Sequence, residues 1–146
     1  MLPIILTKKQ KVVIVGAGRA CEIKLKVLSR VDCDITIVAT QFPLEFNGVN
    51  FTKIVKNFYQ LNATFFEDFD LIYIGIPLND TSIVKQLLKT KMVNVLSNPS
   101  LSNFIHPCSR DDGDVLVSVN NLNKKDPKKA CNWATQFIKY KNEHNN

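Results

Sequence analysis

The sequence predicts an α/β domain built on a parallel sheet, and three observations lead there. Short, largely apolar runs rich in β-branched residues recur along the first hundred residues. Helix-patterned or polar stretches separate them. The first run ends in glycine and passes directly into a helical pattern. The runs are Lys11-Val12-Val13-Ile14-Val15, Ile35 to Ala39, Phe51 to Val55, Leu71 to Ile76 and Val93 to Leu96. The first of them, apolar from Val12 to Val15 rather than at alternate positions, suits a strand covered on both faces. Alternation with helices implies parallel pairing, with helices on both faces of the sheet.

The first helix is expected from about Gly18 to Arg30, with Ala20, Ile23, Val27 and Leu28 sharing its apolar face. A helical turn is expected between Tyr59 and Phe66, and a helix capped by Asp80 reaching Lys89. Past residue 97 the alternation stops. An irregular stretch from Ser97 to Pro107 leads to a strand at Val115 to Val119. A lysine-rich loop follows, then a helix opened by Asp126 and Pro127. That helix carries Trp133, Phe137 and Ile138 at helical spacing, Trp133 and Phe137 read as core or dimer contacts, and its end from Lys141 is expected to fray. The expected division is residues 1–112 for the sheet domain and 113–146 for a C-terminal strand and helix that dimerises or covers substrate.

The chain has 146 residues, with 19 Lys and Arg against 13 Asp and Glu, a net charge of +6. No apolar run approaches the roughly 20 residues of a membrane span, and the expected setting is cytoplasmic. The positive excess gathers late, at Lys124, Lys125, Lys128, Lys129, Lys139 and Lys141. Aromatic residues are not interleaved with these lysines as a base-stacking surface requires, so a small anion is preferred over nucleic acid. Cys21, Cys33, Cys108 and Cys131 show no C-x-x-C spacing. Free thiols are therefore expected, and no metal site.

Gly16-Ala17-Gly18 lies between a strand and a helix, the context that gives a glycine turn meaning. The first glycine takes the positive φ of a tight turn, and the second lets backbone approach a pyrophosphate. The helix start adds unpaired N–H groups and partial positive charge. Cys21 occupies the third small position of this Rossmann-like fingerprint. The second strand ends at Thr40 and Gln41, with neither the acid that favours NAD nor the arginine that favours NADP, so this feature leaves the two open.

Read together, several segments resemble the precorrin-2 dehydrogenases, the NAD-dependent domain of siroheme synthases. They are Leu2-Pro3-Ile4, the glycine turn, Asn94-Val95-Leu96-Ser97-Asn98-Pro99, Asn103-Phe104-Ile105-His106-Pro107, and Gly113-Asp114 before a strand. The similarity spans roughly residues 2 to 130. It implies oxidation of precorrin-2 to sirohydrochlorin with NAD as hydride acceptor, and a homodimer. Some members also insert iron.

On that resemblance Gly16, Gly18, Arg19, Ala20, Thr40 and Gln41 contact the cofactor. Ser97 and His106 are the catalytic candidates. Asn103, Arg110, Lys124 and Lys125 are the substrate-binding ones, facing a substrate with eight carboxylates. Three features depart from the family. Ser97 replaces its aspartate and can neither take a proton nor ligate a metal as a carboxylate does, so chelatase activity is not expected. Ile76-Pro77-Leu78 replaces its A-T-D. The loop after Val119 is longer and lacks its glycines. A non-catalytic dinucleotide sensor, a degenerate subunit of a tetrapyrrole system, and a nucleotide-gated transport regulator remain as alternatives.

Overall fold

A computed structural model describes residues 6–43, 46, 48–121 and 126–144. Leu2-Pro3-Ile4, Lys124 and Lys125 lie outside the described residues. The chain divides into two compact units, Met1–Ile105 and His106–Asn146.

The first unit holds a five-stranded, wholly parallel sheet in the order β3-β2-β1-β4-β5. Its strands are β1 (Gln10–Val15), β2 (Cys33–Ala39), β3 (Thr52–Val55), β4 (Leu71–Ile74) and β5 (Met92–Val95). Helix α1 (Arg19–Leu28) links β1 to β2, and α2 (Ser82–Leu87) links β4 to β5. Strand order reverses between β1 and β4, the crevice position where open α/β sheets bind ligands.

Period-two alternation divides each central strand between two cores. Val12 and Ile14 face Cys21, Leu25 and Leu28 of α1. Val13 and Val15 face Val84 and Leu87 of α2, together with Phe58 and Phe66. Helices therefore cover both faces of the sheet.

Some expected elements take another form. The apolar face of α1 is Cys21, Leu25 and Leu28, whereas Ala20 and Ile23 are exposed. The helix begins at Arg19, and seating Cys21 beneath the glycine turn fixes its rotation. No α-helix joins β2 to β3 among the described residues. There Phe42, Phe46 and Phe51 pack ring against ring at 6.1–6.4 Å and cover the sheet instead. Two short 3₁₀ turns, Phe58–Gln60 and Ala63–Phe66, replace the single expected turn before β4. Asn57 and Asn62 cap them by accepting backbone N–H bonds. Asp80 accepts from the Ser82 N–H at 2.8 Å, but α2 starts at Ser82 and stops at Leu87.

The free edge of β5 is closed by side chains. Asn103 Oδ1 accepts from the Val93 N–H at 2.7 Å, and Ser102 Oγ accepts from the Val95 N–H at 2.8 Å. Asn94 Nδ2 donates to the Phe104 carbonyl at 2.9 Å. Unpaired strand edges invite aggregation, and this loop satisfies the edge without a further strand.

The second unit is an antiparallel hairpin, β6 (Cys108–Asp111) and β7 (Leu116–Val119), packed on α3 (Pro127–His144). Strand β6 was not expected. It pairs with β7, so the division falls at residue 105/106 rather than after 112. Gly113, with φ +96°, makes the turn, and Asp112 Oδ1 accepts from the Val115 N–H at 3.1 Å. Asp126 caps α3 through the Lys129 N–H at 3.0 Å, and the helix runs unbroken to His144 rather than fraying from Lys141.

Lys141 is half-buried and reaches Asp112 at 2.9 Å. The hydrogen bond with this lysine holds the Asp112 carboxyl below the usual range. Cys108 and Cys131 form a disulfide joining β6 to α3, which corrects the expectation of four free thiols; Cys21 and Cys33 are free. Neither of these features follows from spacing alone, because both partners meet only once the hairpin folds against the helix. Trp133 and Phe137 are not core: among the described residues of α3, Ala130 and Ala134 are the buried ones, and the two aromatics form an exposed pair.

No helix among the described residues is long and apolar enough to cross a membrane. Among them no three His, Cys, Asp or Glu side chains gather as a metal cluster.

Candidate dinucleotide site

A cleft of about 450 Å³ opens at the carboxyl ends of β1, β2, β3 and β4. Gly16 forms its floor, with φ +103°. A Cβ there would meet Ile76 Cγ2 at 2.9 Å, so both conformation and space require glycine. The Gly16 N–H extends the sheet by donating to the Val38 carbonyl at 2.7 Å. The donors left for an anion are therefore the N–H groups that open α1, which have no partner within the helix.

Gly18 is the N-cap of α1, extended at φ −82° and ψ 178°, and supplies no side-chain cap. A Cβ at Gly18 would meet nothing within 4 Å. The protein itself does not need glycine there, but a phosphate brought close to the helix start does. This cradle fits a pyrophosphate.

Beneath the turn, the fully buried Cys21 donates its thiol to the Val15 carbonyl at 3.6 Å. Burial pushes this thiol up to about 11, so it stays protonated and acts as packing. It occupies the space a side chain at Gly75 would need. Close helix–strand approach, usually supplied by a third glycine on the helix, is here supplied by a glycine on the facing strand end.

Thr40 and Gln41 line the cleft where β2 ends. Gly18, Arg19 and Ala20 do not line it. The Arg19 guanidinium instead donates to Glu22 at 2.7 Å, and Glu22 also receives Lys26 at 2.5 Å. Those bonds, Lys26 first and then Arg19, hold the Glu22 carboxyl below its ordinary range.

The lining residues that follow β3, Lys56, Asn57, Phe58 and Tyr59, were not anticipated as site residues. The Lys56 N–H donates to the Ala39 carbonyl at 3.1 Å, fixing it beside the end of β2. The Tyr59 hydroxyl accepts from the Asn79 N–H at 2.9 Å and ties the turn after β3 to the loop after β4. The rule that ligands sit at the carboxyl ends of the strands would have nominated the residues following β3.

Ser97 lies just after β5, exposed, and its hydroxyl donates to the Ile76 carbonyl at 3.1 Å, on the loop that walls the cleft. Asn103 spends its amide on backbone: besides Val93 it donates to the Lys91 carbonyl at 2.6 Å. His106 and Arg110 belong to the second unit. His106 is half-buried; Arg110 is exposed on β6 and donates to the Ser109 carbonyl at 2.9 Å.

A doubly wound parallel sheet with a glycine turn opening a helix at its switch point defines a dinucleotide-binding domain. A sequence model described as NAD(P)-binding matches residues 4–108, and the chain belongs to that family. Among solved structures it is similar to SirC, a precorrin-2 dehydrogenase, at 21% identity and a TM-score of 0.65. That match covers 100% of this chain and 71% of the other. No curated protein sequence matches it.

Proposed function

We propose that this chain is a nicotinamide-dependent dehydrogenase that oxidises precorrin-2 to sirohydrochlorin, without iron insertion. The observation that carries the dinucleotide half is the uncapped start of α1 at Gly18, opening beside a cleft that Gly16 floors. The tetrapyrrole half rests on the ordered segments from Asn94 to Gly113 and on the likeness to SirC.

Bound nicotinamide, taken as NAD on the resemblance, supplies a two-electron acceptor. The protein supplies position and charge. N–H groups at the start of α1, at Gly18, Arg19 and Ala20 beside the cleft rather than in its lining, would hold the pyrophosphate, and Thr40 and Gln41 would hydrogen-bond a ribose. A hydride leaves one macrocycle carbon with its electron pair and a proton is released separately, for which His106 is the proposed acceptor. Arg110, Lys124 and Lys125 meet substrate carboxylates. Asn103 contributes indirectly, by holding the loop between Ser97 and Phe104 on the sheet edge.

A second copy is the proposed partner of the exposed Trp133 and Phe137. A cytoplasmic setting is the proposed one, and in such a reducing setting the Cys108–Cys131 disulfide is the bond at risk.

A non-catalytic dinucleotide sensor is the second reading. It is favoured by Ser97, whose proton is committed to the Ile76 carbonyl where the family has a carboxylate. Anaerobic mixing of the protein with precorrin-2 and NAD⁺, followed at 340 nm, separates the two. Growth of NADH absorbance with sirohydrochlorin formation is expected. Dinucleotide binding without turnover would replace the dehydrogenase reading with the sensor.

A further inference from the structure

We propose that Lys56 is a specificity-determining residue that makes the cleft accept a 2′-phosphorylated dinucleotide at least as tightly as the unphosphorylated one. This rests on the dinucleotide reading of the cleft and extends it at one position, the ribose end.

Selectivity between the two dinucleotides is set where β2 ends, because the adenosine ribose lies there. A carboxylate accepts hydrogen bonds from the free 2′- and 3′-hydroxyls and repels a 2′-phosphate; a cation does the reverse. Here the strand ends at Thr40 and Gln41, which carry no charge. Lys56 is the one charged side chain among the described lining residues of the cleft.

Its position is fixed by backbone rather than chance. β3 pairs with β2 in parallel register, Ala39 opposite Val55, and the ladder continues one step through the Lys56 N–H to the Ala39 carbonyl. The lysine Cα is therefore held next to the residues that would contact the ribose. No acid among the described residues pairs with its ammonium. Lys53, on the same strand, is engaged over the Phe42 ring at 4.8 Å. Lys56 is thus the available cation at this end of the cleft. A lysine binds phosphate as a mobile point charge without the bidentate fit of arginine, so its contribution should be strongly salt-dependent.

Calorimetric titration of the full chain with NAD⁺ and NADP⁺ tests this, at low and at 0.5 M salt, for wild type, Lys56→Gln and Lys56→Arg. The wild type is expected to bind NADP⁺ no more weakly than NAD⁺ at low salt. Lys56→Gln should lower the NADP⁺-to-NAD⁺ affinity ratio about tenfold, Lys56→Arg should keep it, and salt should erode NADP⁺ binding more than NAD⁺ binding. Wild-type binding of NAD⁺ tenfold tighter than NADP⁺, or a ratio indifferent to Lys56→Gln, would overturn the assignment alone. Failure of both dinucleotides to bind at millimolar concentration would overturn the dinucleotide reading beneath it.

Discussion

Gly75→Ala is expected to destabilise the sheet domain by about 3 kcal/mol, an unusually large cost for adding one methyl group. The new Cβ would point at Cys21 Sγ, far inside contact distance, and would also press on Leu96 Cδ1 at 3.3 Å. Cys21 has little room to yield, being fully buried with its thiol directed to the Val15 carbonyl. Relief would require α1 to lift from the sheet, which would displace Gly16 and Gly18.

The account makes the pair reciprocal. Cys21→Ala alone should cost about 1 kcal/mol through the small cavity it leaves. With about 2 kcal/mol of coupling, the double variant should be about 1 kcal/mol more stable than Gly75→Ala alone. Urea unfolding of the three variants measures this. Additive costs would mean that Cys21 and Gly75 do not share the space assigned to them. Dinucleotide affinity should fall with Gly75→Ala and recover in the double variant, since the helix start is the proposed phosphate site.

The second large effect is expected in the other unit. Its hairpin and helix bury few side chains fully; Ala130 and Ala134 are the buried hydrophobics there among the described residues. So small a core needs a staple. The Cys108–Cys131 bond closes a 23-residue separation, worth about 3 kcal/mol on chain-entropy grounds. The Lys141–Asp112 contact adds little by comparison. Reduction, or Cys131→Ser, should therefore unfold His106–Asn146 selectively. In amide NMR the resonances of this unit should collapse toward random-coil positions while those of Met1–Ile105 stay dispersed. Retention of the hairpin and helix signals after reduction would show that packing suffices.

Those two predictions mark what could and could not be read from sequence. The five apolar runs of the sheet, the glycine turn and the ends of α1 were legible because each depends on neighbours in the chain: a β-branched run, then glycine, then helical spacing. Thr40 and Gln41 followed from the same local pattern. The partnership of Cys21 with Gly75 was not legible, because it depends on which strand lies beside β1. The rotation of α1 was misread for the same reason, with Ala20 and Ile23 placed inward. Strand β6 has no apolar run to announce it; Cys-Ser-Arg-Asp becomes a strand only by pairing with β7. Lys56 carries no motif at all and gains meaning from the register between β2 and β3. Asn103 was legible as a notable residue but not as an edge cap, since its partners are backbone groups of β5.

The central claim is that the cleft at the carboxyl ends of β1, β2 and β4 holds a nicotinamide dinucleotide. Amide chemical-shift mapping of the full chain during titration with NAD⁺ and with NADP⁺ tests it most directly. The account predicts saturable shifts centred on Gly16, Ala17, Gly18, Thr40, Gln41 and Lys56, with the far ends of the strands silent. Saturable binding that leaves the glycine turn unshifted, or no binding by either dinucleotide, would contradict it.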